Sequence, residues 1–314
     1  MLIDVSTMIQ QNKFDIVTVG HFAIDTISSR ETAHARTTLG GSATYASVAA
    51  ARLGARVSVI SKVGKDFPAE YRNWLQRNNV DLSGLRQAET GVTTRFSLKY
   101  QATWERKLQL KARAPSITAS DIPDSLQVRA IHVAPIANEL PIDAIIKLRK
   151  SAPILSIDPQ GFVRDFSRRG IARLKSWTDP SLMKLIDVYK SSSDEIRMVT
   201  GTTNIRQAAR KILDYGAKVV VVTQGMRGST LLFDEDFFKL SSYSPRKLVD
   251  PTGAGDAYIG AFLAEYIRSK DPLWCACVGS ASASFVVEDI GPSGFGGREE
   301  TYARAREIYE KRIC

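Results

Sequence analysis

The strongest constraint on this chain is a rhythm. Short β-branched runs recur, and each is followed by a stretch with helical spacing. "FDIVTVG" ends at Gly20, and "ATYASVAAARLG" then reads as a helix stopped by Gly54. "ARVSVISKVG" is the next strand, and "FPAEYRNWLQRNN" is a helix with Pro68 near its start. "VRAIHVAPI" and "APILSIDPQ" bracket the helical "LPIDAIIKLRKS". "TNIRQAARKILDYG" ends at Gly216, and "AKVVVVTQG" follows. Strands that are apolar throughout have both faces covered. Alternating with helices, they predict a doubly wound α/β fold with a mostly parallel sheet. The chain reads as one domain over 1–314, because no Pro-, Gly- or Ser-rich linker and no internal repeat divides it.

One segment breaks the rhythm. From Thr93 to Pro115 the pattern has period two: Phe96, Leu98, Tyr100, Leu108 and Leu110 point one way, and Arg95, Lys99, Lys107 and Lys111 the other. This predicts a hairpin with one wet face, standing outside the parallel sheet. Its exposed edge leaves room for pairing with a second subunit, so the reading includes a homodimer through this element.

Composition narrows the class. The chain has 314 residues, 44% hydrophobic and 24% charged, as in an ordinary folded protein with a sizeable core. The net charge of +10, from 43 Lys+Arg against 33 Asp+Glu, favours anionic partners in general: nucleotides, phosphorylated metabolites or nucleic acid. The basic residues are scattered without a run or a zinc-finger spacing, which argues against nucleic acid. No stretch approaches the about 18 unbroken apolar residues of a membrane helix. "MLIDVSTMIQQNKFD" lacks the basic start and apolar core of a signal peptide, so the expected compartment is the cytoplasm. Three cysteines, Cys275, Cys277 and Cys314, form no disulfide framework. Cys275 and Cys277 lie in an apolar run and read as packing. A metal site would need more ligands than His21, His34 and His132 can add.

Four stretches carry candidate chemistry. In "DPTGAGD", Gly253 and Gly255 let backbone approach a ligand, and Asp256 opens a helix whose free N–H groups and dipole suit an oxyanion. Asp256 is placed to take a proton from a hydroxyl. Near the N-terminus, Asp25 follows the first strand, and Gly40 and Gly41 precede a helix. A carboxylate can hold two hydroxyls of a polyol while the glycines admit a ring, although turn and helix entry explain the same residues. In "VVVVTQGMRGS", Thr223, Gly225 and Gly228 offer a hydroxyl and bare backbone to a nucleotide, or form a plain turn. In "KSSSDEIRMVTG", Glu195 is either a helix-dipole carboxylate or a holder of hydrated magnesium. No Walker loop is present, and no GxGxxG follows the first strand, which sets a nicotinamide-dependent oxidoreductase aside.

Together these stretches resemble the ribokinase-like carbohydrate kinases, the phosphofructokinase B family, over nearly the whole chain. "DPTGAGD" is similar to the family's C-terminal signature, and "GGSATYASVAAARLGARVSVISKVGKD" to its N-terminal one. The resemblance implies a ribokinase-like fold whose small β-sheet lid is formed by about 26–39 and 92–114. It implies ATP-dependent phosphoryl transfer to a sugar or polyol hydroxyl, with ATP and Mg2+ as cofactors. Asp256 then matches the general base, and Gly253, Ala254 and Gly255 the anion hole. Asp25, Gly40, Gly41, Tyr45 and Arg164 match substrate positions. Ser192, Thr223, Gly225 and Gly228 match nucleotide positions, and Glu195 the magnesium motif. Asp250 and Thr252 match positions that hold a monovalent cation such as K+ in some members.

Three departures bear on the acceptor. Ser192 replaces the asparagine of the Asn-x-x-Glu motif, Tyr45 replaces a sugar-binding asparagine, and His21 stands where many members carry asparagine. An aromatic after the glycine pair is similar to the family's inositol kinases, which makes myo-inositol a named candidate. A nucleoside kinase on the same fold and a nonenzymatic sugar-binding regulator are the alternatives.

Overall fold

The computed structural model of the protein describes residues 13–28, 35–100 and 106–311. His34, Cys314 and part of the expected lid, 29–34 and 101–105, lie outside them. Each strand and helix expected from the rhythm forms. The large sheet runs in the order Asp236–Leu240, Ser229–Phe233, Val219–Thr223, Val188–Ser192, Ile154–Ile157, Ala130–Val133, Ile16–Val19, Val57–Val63, Val80–Asp81. From Val219–Thr223 to Val80–Asp81 every neighbour is parallel, and the first two strands are antiparallel additions.

Alternate residues of these strands feed two cores. Ile16, Val57, Val188, Val219 and Val221 face one, with the helices Ser42–Arg52, Ala254–Tyr266 and Pro272–Val286. Val17, Ile131, Leu155, Tyr189, Val220 and Val222 face the other, with Ile142–Arg149, Ser193–Thr200 and Ile205–Asp214. Helices on both faces explain why the strands carry apolar residues without alternation. Cys275 and Cys277 are buried in the first core, as their apolar surroundings predict.

The chain places Val57–Val63 on one side of Ile16–Val19 and Ala130–Val133 on the other. The strand order reverses there, and a crevice opens beyond the carboxyl ends of the two strands. The segment after Gly20 enters this crevice and begins a second, four-stranded sheet, in the order Arg36–Gly40, Ala23–Ser28, Thr94–Tyr100, Arg106–Ala112. The last two strands are the hairpin predicted from the period-two pattern. Phe96, Leu98 and Tyr100 are buried, while Lys99 and Lys107 are exposed. Asp25, which follows the first strand in sequence, lies within a strand of this sheet, so it is neither a turn nor a helix-cap residue. On the hairpin's outer strand, Leu110 N donates to Gly170 O, and Gln109 bridges to Ile171, so the chain itself takes up part of that edge.

Among the described residues no helix is long and apolar enough to cross a membrane.

Candidate active site

The helix Ala254–Tyr266 organises the site. Its N-cap, Gly253, adopts φ +78, a left-handed conformation that favours glycine, and no side chain caps the helix. A side chain at 253 would also collide with the ring of Tyr45, whose atoms lie 2.3 Å from the Cβ position. Farther along, Gly260 lets the helix touch the backbone of Ala46, so it crosses Ser42–Arg52 closely. That crossing brings Ser42 and Tyr45 against Gly253 and Asp256.

Two clefts meet at this helix start. The first is lined by Asp25, Gly41, Ser42, Tyr45, Gln160, Arg164, Thr252, Gly253 and Asp256, and its apolar walls are Phe96, Leu98, Leu108 and Ile136. The second, of about 400 Å³, is lined by Thr223, Gly225, Gly228, Ala254 and Gly255. Its remaining walls include Tyr243, Pro245, Leu248, Tyr258, Ala283 and Val287. Its lining holds no charged residue. A third, open groove joins the first at Leu108 and Arg164 and is lined by Lys99, Lys107, Arg173, Ser192 and Glu195. Most residues picked out in the sequence thus fall into three adjoining groups, while Gly40 and Asp250 line none of them.

Asp256 is half-buried, and Gln160 Nε2 donates to its Oδ1 at 3.1 Å. Gln160 also donates to Ser42 Oγ. Burial pushes the Asp256 carboxyl up to about 6, against the Lys190 ammonium, which favours its charged form, and with Asp158, which opposes it. Such a carboxylate is ionised near neutrality yet basic enough to accept a proton.

The other carboxylates have different settings. Asp25 is buried, and its carboxylate occupies the space a side chain at Gly40 would fill, with Oδ2 only 2.0 Å from that Cβ position. Gly40 therefore makes room for Asp25, while Gly41 lines the cleft itself. Asp250 Oδ1 accepts from Thr252 N at 2.9 Å and from Thr252 Oγ1 at 2.6 Å, and Oδ2 accepts from Gly291 N at 3.2 Å. Both oxygens are engaged by protein donors, so the pair shapes the turn entering Gly253, and a monovalent cation would have to share them. Glu195 closes a capping box: its Oε2 accepts from Ser192 N at 2.8 Å, and Ser192 Oγ accepts from Glu195 N at 3.3 Å. One carboxylate facing an open groove fits a magnesium ion that keeps most of its waters. Among the described residues no group of three or more His, Cys, Asp or Glu stands together as a metal site.

His21 supports the entry to the small sheet. Its ring hydrogen-bonds Pro115 O at 3.0 Å and Thr94 Oγ1 at 2.8 Å, and burial lowers its pKa. It does not line the polar cleft.

Sequence reasoning missed four contributors: Ser42, Asp158, Gln160 and Lys190. Lys190 Nζ pairs with Asp158 Oδ2 at 2.6 Å, both nearly inaccessible. The available signal was a lysine inside the apolar strand "DVYKS", since an unpaired lysine is almost never fully buried.

A helix start that no side chain caps, a half-buried basic carboxylate and two clefts meeting there define a phosphotransferase of alcohol groups in the ribokinase-like class. Residues 13–295 match the pfkB family carbohydrate kinases, and the chain belongs to that family. It is 30% identical over 284 residues to a cytidine kinase of Thermococcus kodakarensis, covering 88% of this chain and 97% of that one. It is 29% identical over 291 residues to a nucleoside kinase of Methanothermobacter thermautotrophicus, covering 88% and 90%. Among solved structures it is similar to a pyrophosphate-dependent kinase in the ribokinase family complexed with a pyrophosphate analog and myo-inositol. The TM-score is 0.80 at 26% identity, over 92% of this chain and 99% of that one. The protein is thus a kinase with the ribokinase-like fold, acting on a sugar or nucleoside alcohol.

Proposed function

We propose that this kinase transfers the terminal phosphoryl group of ATP to a hydroxyl of a small polyol, with myo-inositol the named candidate. The observation that carries the reading is the position of Asp256 at a helix start between a polar cleft and an apolar pocket. In this reading Asp25, Tyr45 and Arg164 orient the acceptor, and Gly41 gives it room. Asp256 takes the hydroxyl proton as the Gly253–Ala254–Gly255 backbone receives the charge of the moving group. The apolar pocket beside Thr223, Gly225 and Gly228 suits a purine base, which a pyrophosphate donor would not use. Glu195 would hold magnesium through water. Magnesium, when bound, neutralises phosphate charge during transfer. The small sheet, described at Ala23–Ser28, Arg36–Gly40, Thr94–Tyr100 and Arg106–Ala112, acts in this reading as a lid on a single domain.

A single ring is favoured because Phe96, Leu98 and Leu108 wall the cleft with apolar side chains. A second reading, a nucleoside acceptor, is supported by the cytidine kinase relative. Its base would pass Leu108 and Arg164 into the basic groove, since both residues line both spaces. The test is an acceptor panel with ATP and magnesium, scored by ADP release and repeated with pyrophosphate. Turnover of myo-inositol or another single-ring polyol is the expected result. Preference for cytidine or adenosine reverses the order of the two readings, and preference for pyrophosphate overturns the donor assignment.

A further inference from the structure

The buried pair Lys190–Asp158 is unexplained by the fold alone. Lys190 lies on the strand Val188–Ser192, at the carboxyl end of the sheet. Its Nζ is 2.7 Å from the Cβ position of Gly255, so that glycine leaves room for an ammonium beside the first turn of Ala254–Tyr266. A helix N-terminus is the positive end of the dipole, where a cation is unfavourable. Burying a lysine there adds a desolvation cost, and a buried ion pair gives little net stability over apolar replacements. The placement makes sense only against negative charge, and three observations supply it. Asp158 Oδ2 accepts from Lys190 Nζ at 2.6 Å. Asp158 Oδ1 accepts from Gln160 N at 3.0 Å. Gln160 Nε2 in turn donates to Asp256 Oδ1. One continuous chain of contacts therefore runs from the ammonium to the carboxylate.

We propose that Lys190 is a positioning residue of phosphoryl transfer, acting through Asp158 and Gln160 to hold Asp256 oriented and ionised beside the anion-accepting turn. This rests on the reading of Asp256 as general base. Asp256 is faced by Lys190, by Asp158 at the end of Ile154–Ile157, by Arg164 and by Ser42. Tyr45 also faces it from Ser42–Arg52. Lys190 is faced by Asp158, Asp256 and Glu195, and lies near the buried, neutral His132. The two members of the pair act on Asp256 with opposite sign. Lys190 favours its ionised form, and Asp158 disfavours it.

The experiment measures kcat against pH for Lys190→Met, Asp158→Asn and the double variant, with Asp256→Asn alongside. Lys190→Met is expected to move the acid limb upward by about 1 pH unit. It should also lower the plateau about tenfold or more, as ionised Asp256 loses its orientation. Asp158→Asn is expected to move the limb downward, and the double variant to fall between the two. Removing both charges together leaves no unpaired buried ion, so the double variant folds even where Lys190→Met does not. Comparing it with Asp158→Asn then isolates the lysine. Coincident limbs in those two proteins, with a full plateau in the double variant, overturn the proposal. Turnover retained in Asp256→Asn overturns the base assignment beneath it. An inactive Asp256→Asn with unmoved limbs in the other variants overturns the role of Lys190 alone.

Discussion

The polar cleft and the apolar pocket share one helix start, yet they are built from different materials. The cleft draws Asp25 from the small sheet, Tyr45 from Ser42–Arg52, Gln160 from the turn after Ile154–Ile157, Arg164 from the short strand Arg164–Phe166, and Asp256 from Ala254–Tyr266. Distant segments must all be in place before it exists. The pocket is made largely of backbone, small residues and two tyrosines from the C-terminal third of the chain. The difference fits the division of labour proposed for them. An acceptor ring must be held so that one hydroxyl meets one carboxylate, which needs directional contacts. A nucleotide base needs only a flat apolar slot that places its phosphates at the helix start.

The comparison is broken most severely at the point the two clefts share. Asp256→Asn keeps the shape but removes the base, so kcat is expected to fall about 10³-fold. ATP affinity should persist, because the apolar pocket is untouched, and a binding titration checks this. The wild-type pH profile follows from the carboxyl standing at about 6. Above that value Asp256 is ionised and can accept the proton. As pH falls through it, the base is protonated and kcat should fall tenfold per unit. A flat profile down to pH 5 would show that another group takes the proton.

A smaller effect separates the two clefts. Ala283 lies on Pro272–Val286 and lines only the apolar pocket. Ala283→Trp fills that space, so KM for ATP should rise about tenfold while kcat and the acceptor KM stay near their original values. With pyrophosphate as donor the same variant should change nothing. Loss of kcat with KM unchanged would mean that the pocket communicates with the chemistry, and that the division drawn above is wrong.

The two clefts were also unequally legible in the sequence. The sheet, its helices and the hairpin followed from periodicity, because each is a local pattern repeated over several residues. Asp256 and the glycines stood out because they are adjacent and punctuate a turn before a helix. Thr223, Gly225 and Gly228 were visible for the same reason. What escaped is what the crevice assembles from a distance. Gln160 meets Asp256 across 96 residues, and neither sequence neighbourhood announces the contact. Gly40 read as room for a substrate ring, but its space belongs to Asp25, a cross-strand relation that no spacing rule encodes. Lys190 was hidden because charged residues are read as surface until a structure shows them buried.

The finest test concerns a single hydroxyl. Tyr45 is fully buried, its ring packed on Gly253 and tilted against Phe295 with centroids 6.3 Å apart. Its hydroxyl has no hydrogen-bond partner among the described residues. Burial, together with Asp25, Asp250 and Asp256, drives its pKa far upward, so it remains a protonated donor throughout the working range. A buried hydroxyl without a partner costs free energy, and here it lines the polar cleft. An acceptor hydroxyl would supply the missing partner. Tyr45→Phe should therefore leave thermal stability within about 0.5 kcal/mol of the original, since no protein contact is lost. The acceptor KM should rise about fivefold, the worth of one ordinary hydrogen bond, and KM for ATP should not move. The rise should also be independent of pH between 6 and 8, because the hydroxyl does not titrate there. A drop in stability with unchanged acceptor KM would assign Tyr45 to packing against Gly253 alone. The recognition of the acceptor would then rest on Asp25 and Arg164.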